Sequence, residues 1–135
     1  MVVHESGIYV IETKAYSKPD NGAPTITFNG ETLLVAGRTP NRDPVKQVRA
    51  ASSWLRNLLE ESTGKRFTVR AVVVFPGWYI EPTAEARRSD VWVLNPKALP
   101  SFIDHSRAQL SHDDVRLASY HLSRYIRGMV READT

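Results

Sequence analysis

The sequence contains no cysteine, which excludes disulfide bonds, thiolate zinc sites and cysteine nucleophiles. It also lacks a long hydrophobic run, because the longest purely apolar stretch, residues 71–75, is far too short to cross a bilayer. Serine-nucleophile motifs and phosphate-cradling glycine loops are absent too. Since the N-terminus has no basic-then-apolar signal pattern, we expect a cytoplasmic protein that does not associate with membranes.

What is present is an ordinary globular composition, with 41% hydrophobic and 24% charged residues in a chain of 135. That length predicts a single domain, residues 1–135, with a core of its own. The net charge is only +3, but the cations are thirteen arginines and five lysines. Arginine suits bidentate phosphate contacts, although the codon composition of the source genome would explain the same excess.

The hydrophobic pattern predicts a mixed sheet covered by helices. A β-hairpin is expected where residues 2–3 and 8–15 flank a turn-like segment. A continuous β-branched run at 69–75 is typical of a buried central strand. Further strands are predicted at 25–28, 32–35 and 91–94, with turn signals at 20–22 and 29–30 and an irregular segment at 79–90.

Two long helices are predicted from their end signals. Asp43 as N-cap and Gly64 as C-cap bound a helix from about 44 to 62. Ser111 and Asp114 resemble a capping pair that opens a second helix, which runs to about Arg131. A short helix is also expected from Pro96, with an interruption near Pro100.

One strand carries residues suited to metal chemistry. Side chains alternate along a strand, so Glu12 and Lys14 share one face, at the end of an apolar stripe. Mg²⁺ is typically held by one or two carboxylates plus substrate phosphates, so Glu12 and the Thr13 carbonyl are candidate ligands. Lys14 is a candidate for orienting or deprotonating the attacking water. A bare Glu-x-Lys triplet is common, however, and a simple surface ion pair explains it equally.

The string from Gly7 to Lys14 resembles the nuclease-related domain (NERD) family, a branch of the PD-(D/E)XK nuclease superfamily. Three further segments match in order and spacing: residues 41–47, which open the helix with Gln47, residues 72–75, and the Leu-Ser-x-x-x-Val string at 110–115. The resemblance covers about residues 1–95 well and the remainder loosely. It implies an α/β, restriction-endonuclease-like fold: a mixed β-sheet flanked by helices, with the core at about 1–95, a helical part at about 96–133, and the usual first helix lacking.

The resemblance also implies roles for particular residues. Glu12 and Lys14 correspond to the second acid and the lysine of the superfamily motif, and Gln47 to a glutamine near the metal or phosphate. The family's chemistry is Mg²⁺- or Mn²⁺-dependent cleavage of DNA. The first acid of the motif, an aspartate, would fall immediately before Met1, and neither Asp20 nor Asp43 matches its place.

Two functions therefore remain open. One is a metal-dependent DNA phosphodiesterase, impaired by the missing acid, and the other is an inactive module of the same fold that binds nucleic acid or protein. Without the first helix one face of the sheet would be bare, so we expect helix 111–131 or a second subunit, in a homodimer, to cover it.

Several residues near Glu12 are candidates for DNA contact. The cations are Lys18, Arg38, Arg42 and Arg49, which either bind the phosphate backbone or form a solvated surface. Tyr16 could stack on a base or brace Lys14, but a half-buried edge residue is the alternative. Trp78 and Tyr79 are expected to line a cleft or to cap the edge of the sheet.

Overall fold

The computed structural model of the chain describes residues 1–18 and 24–134, with side chains described through Gly128. The turn predicted at 20–22 lies outside these residues. Short 3₁₀ geometry at Pro96–Ala98 leads into the third helix. The elements in chain order are β1 (Val2–His4), β2 (Gly7–Thr13), β3 (Thr25–Phe28), β4 (Leu33–Val35), α1 (Pro44–Thr63), β5 (Val69–Val74), β6 (Tyr79–Glu81), α2 (Ala84–Arg87), β7 (Val91–Leu94), α3 (Leu99–Asp104) and α4 (His112–Asp134).

The main sheet has four strands in the order β1-β2-β5-β7. β1 and β2 form the predicted antiparallel hairpin, while β2, β5 and β7 run parallel. β5 lies in the interior of this sheet, as its continuous apolar sequence predicted, and four of its residues from Ala71 to Val74 are buried. The fold is thus a mixed α/β fold of the restriction-endonuclease-like class.

The remaining strands form a second sheet, in the order β4-β3-β6. The sequence predicted one mixed sheet and an irregular segment at 79–90, and the structure differs on both points. β6 is only three residues long and pairs in parallel with β3, which is far away in sequence. Three residues are too few for an alternating apolar pattern to predict the strand. The helix α2 that follows is a single turn, capped by the hydroxyl of Thr83, which accepts from the Ala86 N–H at 3.0 Å.

The predicted ends of α1 are confirmed. The Asp43 carboxylate accepts hydrogen bonds from the backbone N–H groups of Val45 and Lys46. Gly64 adopts φ +76°, and its N–H donates to the Glu60 carbonyl, which ends the helix. Because the buried positions recur every three or four residues, α1 presents one apolar stripe to the sheet: Val45, Val48, Ser52, Leu55 and Leu59.

Helices cover both faces of the main sheet. α1 packs on the face that carries Ile8 and Val10, whereas Ile103 of α3 packs on the opposite face against Tyr9 and Val72. Pro100 does not interrupt α3, because it lies in the first turn, where proline is tolerated.

Helix 111–131 or a second subunit was expected to cover the sheet face that the missing first helix would leave bare, and in the structure α3 covers the face opposite α1. α4 is capped by Ser111 and Asp114 as predicted, but Ala118 and Leu122 pack beside Leu55 and Ile8, on the α1 side. The apolar side chains of α4 pack against apolar residues in the C-terminal half of α1. α3 covers the opposite face of the main sheet. The reason for invoking a second subunit at that face is thereby removed.

The hairpin between β3 and β4 continues into a tight turn at Ala36 and Gly37. Val35 and Arg38 exchange backbone hydrogen bonds of 2.8 and 3.0 Å across it. Both central residues have positive φ, 51° and 77°, as in the two-residue turns that favour Asn-Gly. An alanine in this conformation stores strain, since its Cβ approaches the carbonyl oxygen.

We expect Ala36→Asn to raise the free energy of unfolding by about 0.5–1 kcal/mol, because asparagine tolerates positive φ better than alanine. Urea denaturation measures the change. Gly37→Ala is the matched control, because no atom lies within 4 Å of the added Cβ and only backbone strain remains. It should destabilise the protein, and a stabilising Gly37→Ala would contradict the turn geometry.

Candidate active site

Glu12 and Lys14 lie together at the C-terminal end of β2. Glu12 pairs in register with Val73 of β5, and the Lys14 N–H donates to the Val74 carbonyl at 3.0 Å. Their side chains meet, with Lys14 Nζ 3.0 Å from Glu12 Oε1. The Lys14 side chain is 25% exposed and the Glu12 side chain is 34% exposed. The pair therefore shares one face, as strand alternation predicted, and stays within reach of solvent and ligands.

Gln47 lies on the first turns of α1, the helix that covers the face carrying Glu12. Val45 and Val48 belong to the same apolar cluster as Val10 and Val73. The Gln47 Oε1 atom is buried, yet it accepts no hydrogen bond within the described residues. A buried polar atom without a partner costs about 1–3 kcal/mol, so this oxygen is suited to a cation, a donor or a water.

The Thr13 carbonyl points to the open edge of β2. Backbone groups of alternate residues face opposite sides of a strand, and the N–H groups of Ile8 and Lys14 both point to β5 or the segment before it. Thr13 therefore faces the other side, where β1 pairs with β2 only as far as Tyr9. Its carbonyl is thus directed away from the main hydrogen-bond ladder.

The residues around Glu12 offer few side-chain donors for a metal ion. Across residues 1–18 and 24–134, no group of three histidine, aspartate or glutamate side chains converges to hold a metal. The available donors are the Glu12 carboxylate, the Gln47 amide oxygen and the Thr13 carbonyl. All are hard oxygens, and Mg²⁺ is often bound by one carboxylate with substrate phosphates completing its shell.

Three of the four predicted DNA-binding cations are exposed. Lys18 lies across the Pro76-Gly77 turn, so close that a Cβ on Gly77 would stand 2.9 Å from its Nζ. Arg38 closes the β4 turn, and Arg42 precedes the N-cap of α1. Neither these arginines nor Lys18 form an ion pair within the part of the chain that the structure describes.

Arg49, the fourth cation, forms a surface ion pair with Asp90. Its Nε and Nη2 donate to the two carboxylate oxygens of Asp90 at 3.2 and 2.8 Å, and Nη2 also donates to the Gly30 carbonyl at 3.4 Å. These hydrogen bonds hold the pKa of Asp90 below its usual value. The residue links α1 to the segment before β7, a pairing that sequence spacing does not reveal.

Tyr16 follows the packing alternative. Its ring stacks on Phe75 with centroids 5.8 Å apart, and its carbonyl accepts from Trp78 Nε1 at 3.3 Å. A half-buried ring fixed in this way braces the segment that follows β5.

Trp78 and Tyr79 both line a groove. Trp78 is also buried in the core, whereas Tyr79 is 60% exposed. Other groove residues come from separate elements, so no local pattern indicates that they lie together: Arg87, Trp92, Lys97 and Phe102.

Comparison with protein families decides the family. The sequence model of the nuclease-related domain matches residues 1–76, more than half of the chain. The chain belongs to the nuclease-related domain family. In this NERD chain the matched region spans β1 to β5 and contains Glu12, Lys14 and Gln47. Searches of curated proteins and of solved structures returned no match. Among the described residues, no helix combines the length and apolarity needed to cross a membrane.

We expect Arg49→Ala to destabilise the fold by about 0.5–1 kcal/mol at pH 7, the range of well-formed surface pairs. The pKa of Asp90 is lower in the folded state than its ordinary value of 3.8. The ionised carboxylate therefore stabilises the fold fully above pH 3.8, and this stabilisation is lost as the pH falls through the pKa of the folded state. Urea denaturation at pH 7 and at pH 3 measures the free energy of unfolding of the variant and of wild type. We expect the difference between them to be smaller at pH 3. An equal difference at both pH values would contradict the ion pair.

Proposed function

We propose that this NERD domain is a metal-dependent phosphodiesterase acting on DNA. The observation that carries the proposal is the partly exposed Glu12–Lys14 pair, 3.0 Å apart, at the end of a strand that the family match includes. The unsatisfied Gln47 oxygen on the covering helix supports it, because a purely structural glutamine would be expected to find a partner.

Each residue has a defined role in the proposal. Glu12, with Gln47 and the Thr13 carbonyl, would hold Mg²⁺ or Mn²⁺, and the ion would supply positive charge beside the phosphate and make a water easier to ionise. Lys14 positions the attacking water or a phosphate oxygen. Its ammonium already neutralises Glu12, so a substrate phosphate that draws Lys14 away also frees the carboxylate for the cation.

We expect Glu12→Gln and Lys14→Met each to lower the rate of plasmid nicking in Mg²⁺ or Mn²⁺ by about 100-fold or more, the scale of positioned acid–base groups. Gel analysis of nicked plasmid measures the rate. Glu60→Gln is the matched control, since Glu60 forms a comparable pair with Arg66, 3.1 Å away, near the far end of α1. Nicking that survives both site variants as well as it survives the control would remove the proposal.

DNA backbone contact is assigned to Lys18, Arg38 and Arg42. Each phosphate contact contributes about 0.9 to the slope of log affinity against log salt. We expect each substitution by alanine to lower the slope for duplex DNA by about that amount, and the triple variant to lower it by the sum. Fluorescence anisotropy across a salt series measures this. Unchanged slopes would exclude these three cations from the interface.

The second candidate function is a binding module without turnover. It is favoured by the small number of carboxylates near Glu12 in the described residues, where no three metal-binding side chains converge. The module would show salt-dependent DNA binding and no cleavage in any divalent metal. Cleavage by purified protein that depends on Glu12 would rule it out.

A further inference from the structure

A groove of about 930 Å³ runs along the outer edges of the two sheets. β6 is the last strand of the three-stranded sheet, and β7 is the last strand of the four-stranded sheet. The groove lies between these two edges, with α2 and α3 contributing to its walls. Its volume falls in the range of ligand-binding sites.

Aromatic rings form much of the groove surface. Tyr79 is 60% exposed and Phe102 is 44% exposed, which is unusual for large rings on a folded surface. Trp92 lies between them in chain order and is braced by Phe102 and by Tyr9, each with centroids 5.5 Å away. Rigid exposed rings are suited to stacking against planar ligands.

The charges at the groove favour an anionic ligand. Arg87 and Lys97 line it, and the guanidinium of Arg70 lies 4.9 Å above the Trp92 ring. The opposing charge is Glu81, whose carboxylate accepts a hydrogen bond from Thr27 at 3.2 Å. Two cations line the groove, against one carboxylate, and this balance matches a ligand with phosphates and flat bases.

The two strand edges also offer backbone hydrogen bonds. The Leu94 carbonyl faces β5 and the Tyr79 N–H faces the segment before β3. By alternation, the N–H and C=O groups of Val93 and Ile80 face away from their own sheets, where both residues line the groove. A base edge has donors and acceptors that can meet such groups.

The groove is close to the Glu12–Lys14 pair. β7 and β2 flank β5 on either side, so they are separated by about 10 Å at the usual strand spacing. All three run parallel, so Lys14 and Asn95 follow strands that end at the same edge of the sheet. A chain lying in the groove can therefore extend to the proposed cleavage site.

We propose that this groove binds unpaired nucleotides of single-stranded DNA and so selects the strand presented to Glu12 and Lys14. The inference deepens the proposed function and rests on it for the link to cleavage. Stacking on Tyr79 and Phe102 supplies affinity without sequence preference, and Arg87 and Lys97 contact the phosphates. A neutral extended peptide would use the strand edges but would leave these cations without partners.

The test measures binding without chemistry. A fluorescein-labelled dT16 oligonucleotide and a duplex of the same length are titrated in EDTA and followed by anisotropy. We expect Tyr79→Ala and Phe102→Ala each to weaken dT16 binding by about 5- to 100-fold, the range for one stacked base, with a smaller effect on duplex. Tyr120→Ala is the matched control, because Tyr120 is 57% exposed but lies on α4. Arg87→Ala should weaken binding more than Arg127→Ala, an exposed arginine on α4.

A second readout locates the ligand. The chain has three tryptophans, of which Trp54 lies on α1, so a Trp54→Phe background leaves Trp78 and Trp92 to report on the groove. Quenching of this emission by dT16 supports the proposal. Equal loss in Tyr79→Ala and Tyr120→Ala, or Tyr79-dependent capture of an extended valine- and threonine-rich peptide in place of dT16, overturns it.

The groove and the metal site fail separately in these experiments. Glu60→Gln should leave dT16 binding in EDTA unchanged, because Glu60 lies near the far end of α1 and does not line the groove. If nicking depends on Glu12 but dT16 binding does not depend on Tyr79, the groove proposal alone is refuted. If dT16 binding depends on Tyr79 but nicking does not depend on Glu12, the cleavage proposal alone is refuted.

Discussion

The parallel pairing of β2 with β5 is the constraint on which the candidate site depends. Six residues of β2, from Ile8 to Thr13, pair in unbroken register with Val69 to Val74. A slip of one residue would turn every side chain of β2 to the opposite face. It would bury Glu12 and Lys14 under α3 and send Tyr9 and Ile11 toward α1, at a large cost in desolvated charge. The apolar pattern of both strands therefore fixes the position of the acidic and basic groups.

Much of this arrangement follows from local sequence. Alternation along β2 placed Glu12 and Lys14 on one face, and Asp43 and Gly64 located both ends of α1 to within a residue. These features succeed because they rest on contacts between residues close together in the chain. Capping bonds and side-chain alternation depend on the local chain rather than on which elements pack together.

The features that sequence reasoning missed are non-local. β6 exists because β3 offers it an edge, and three residues carry too little pattern to predict it. The pair between Arg49 and Asp90 spans 41 positions, so no local pattern indicates it. The groove likewise combines residues from β6, α2, β7 and α3, and α3 rather than α4 covers the second face because packing, not chain order, decides which helix fits.

The Arg49 side chain connects the two sheets, in addition to its contribution to the free energy of unfolding. The two sheets share no strand, so hydrogen-bond ladders cannot fix their mutual spacing. One guanidinium on α1 reaches both the turn after β3, through the Gly30 carbonyl, and the approach to β7, through Asp90. Arg49 therefore connects the two sheets. Through it, the ionised carboxylate of Asp90, which lies outside the groove, contributes to the distance between β6 and β7.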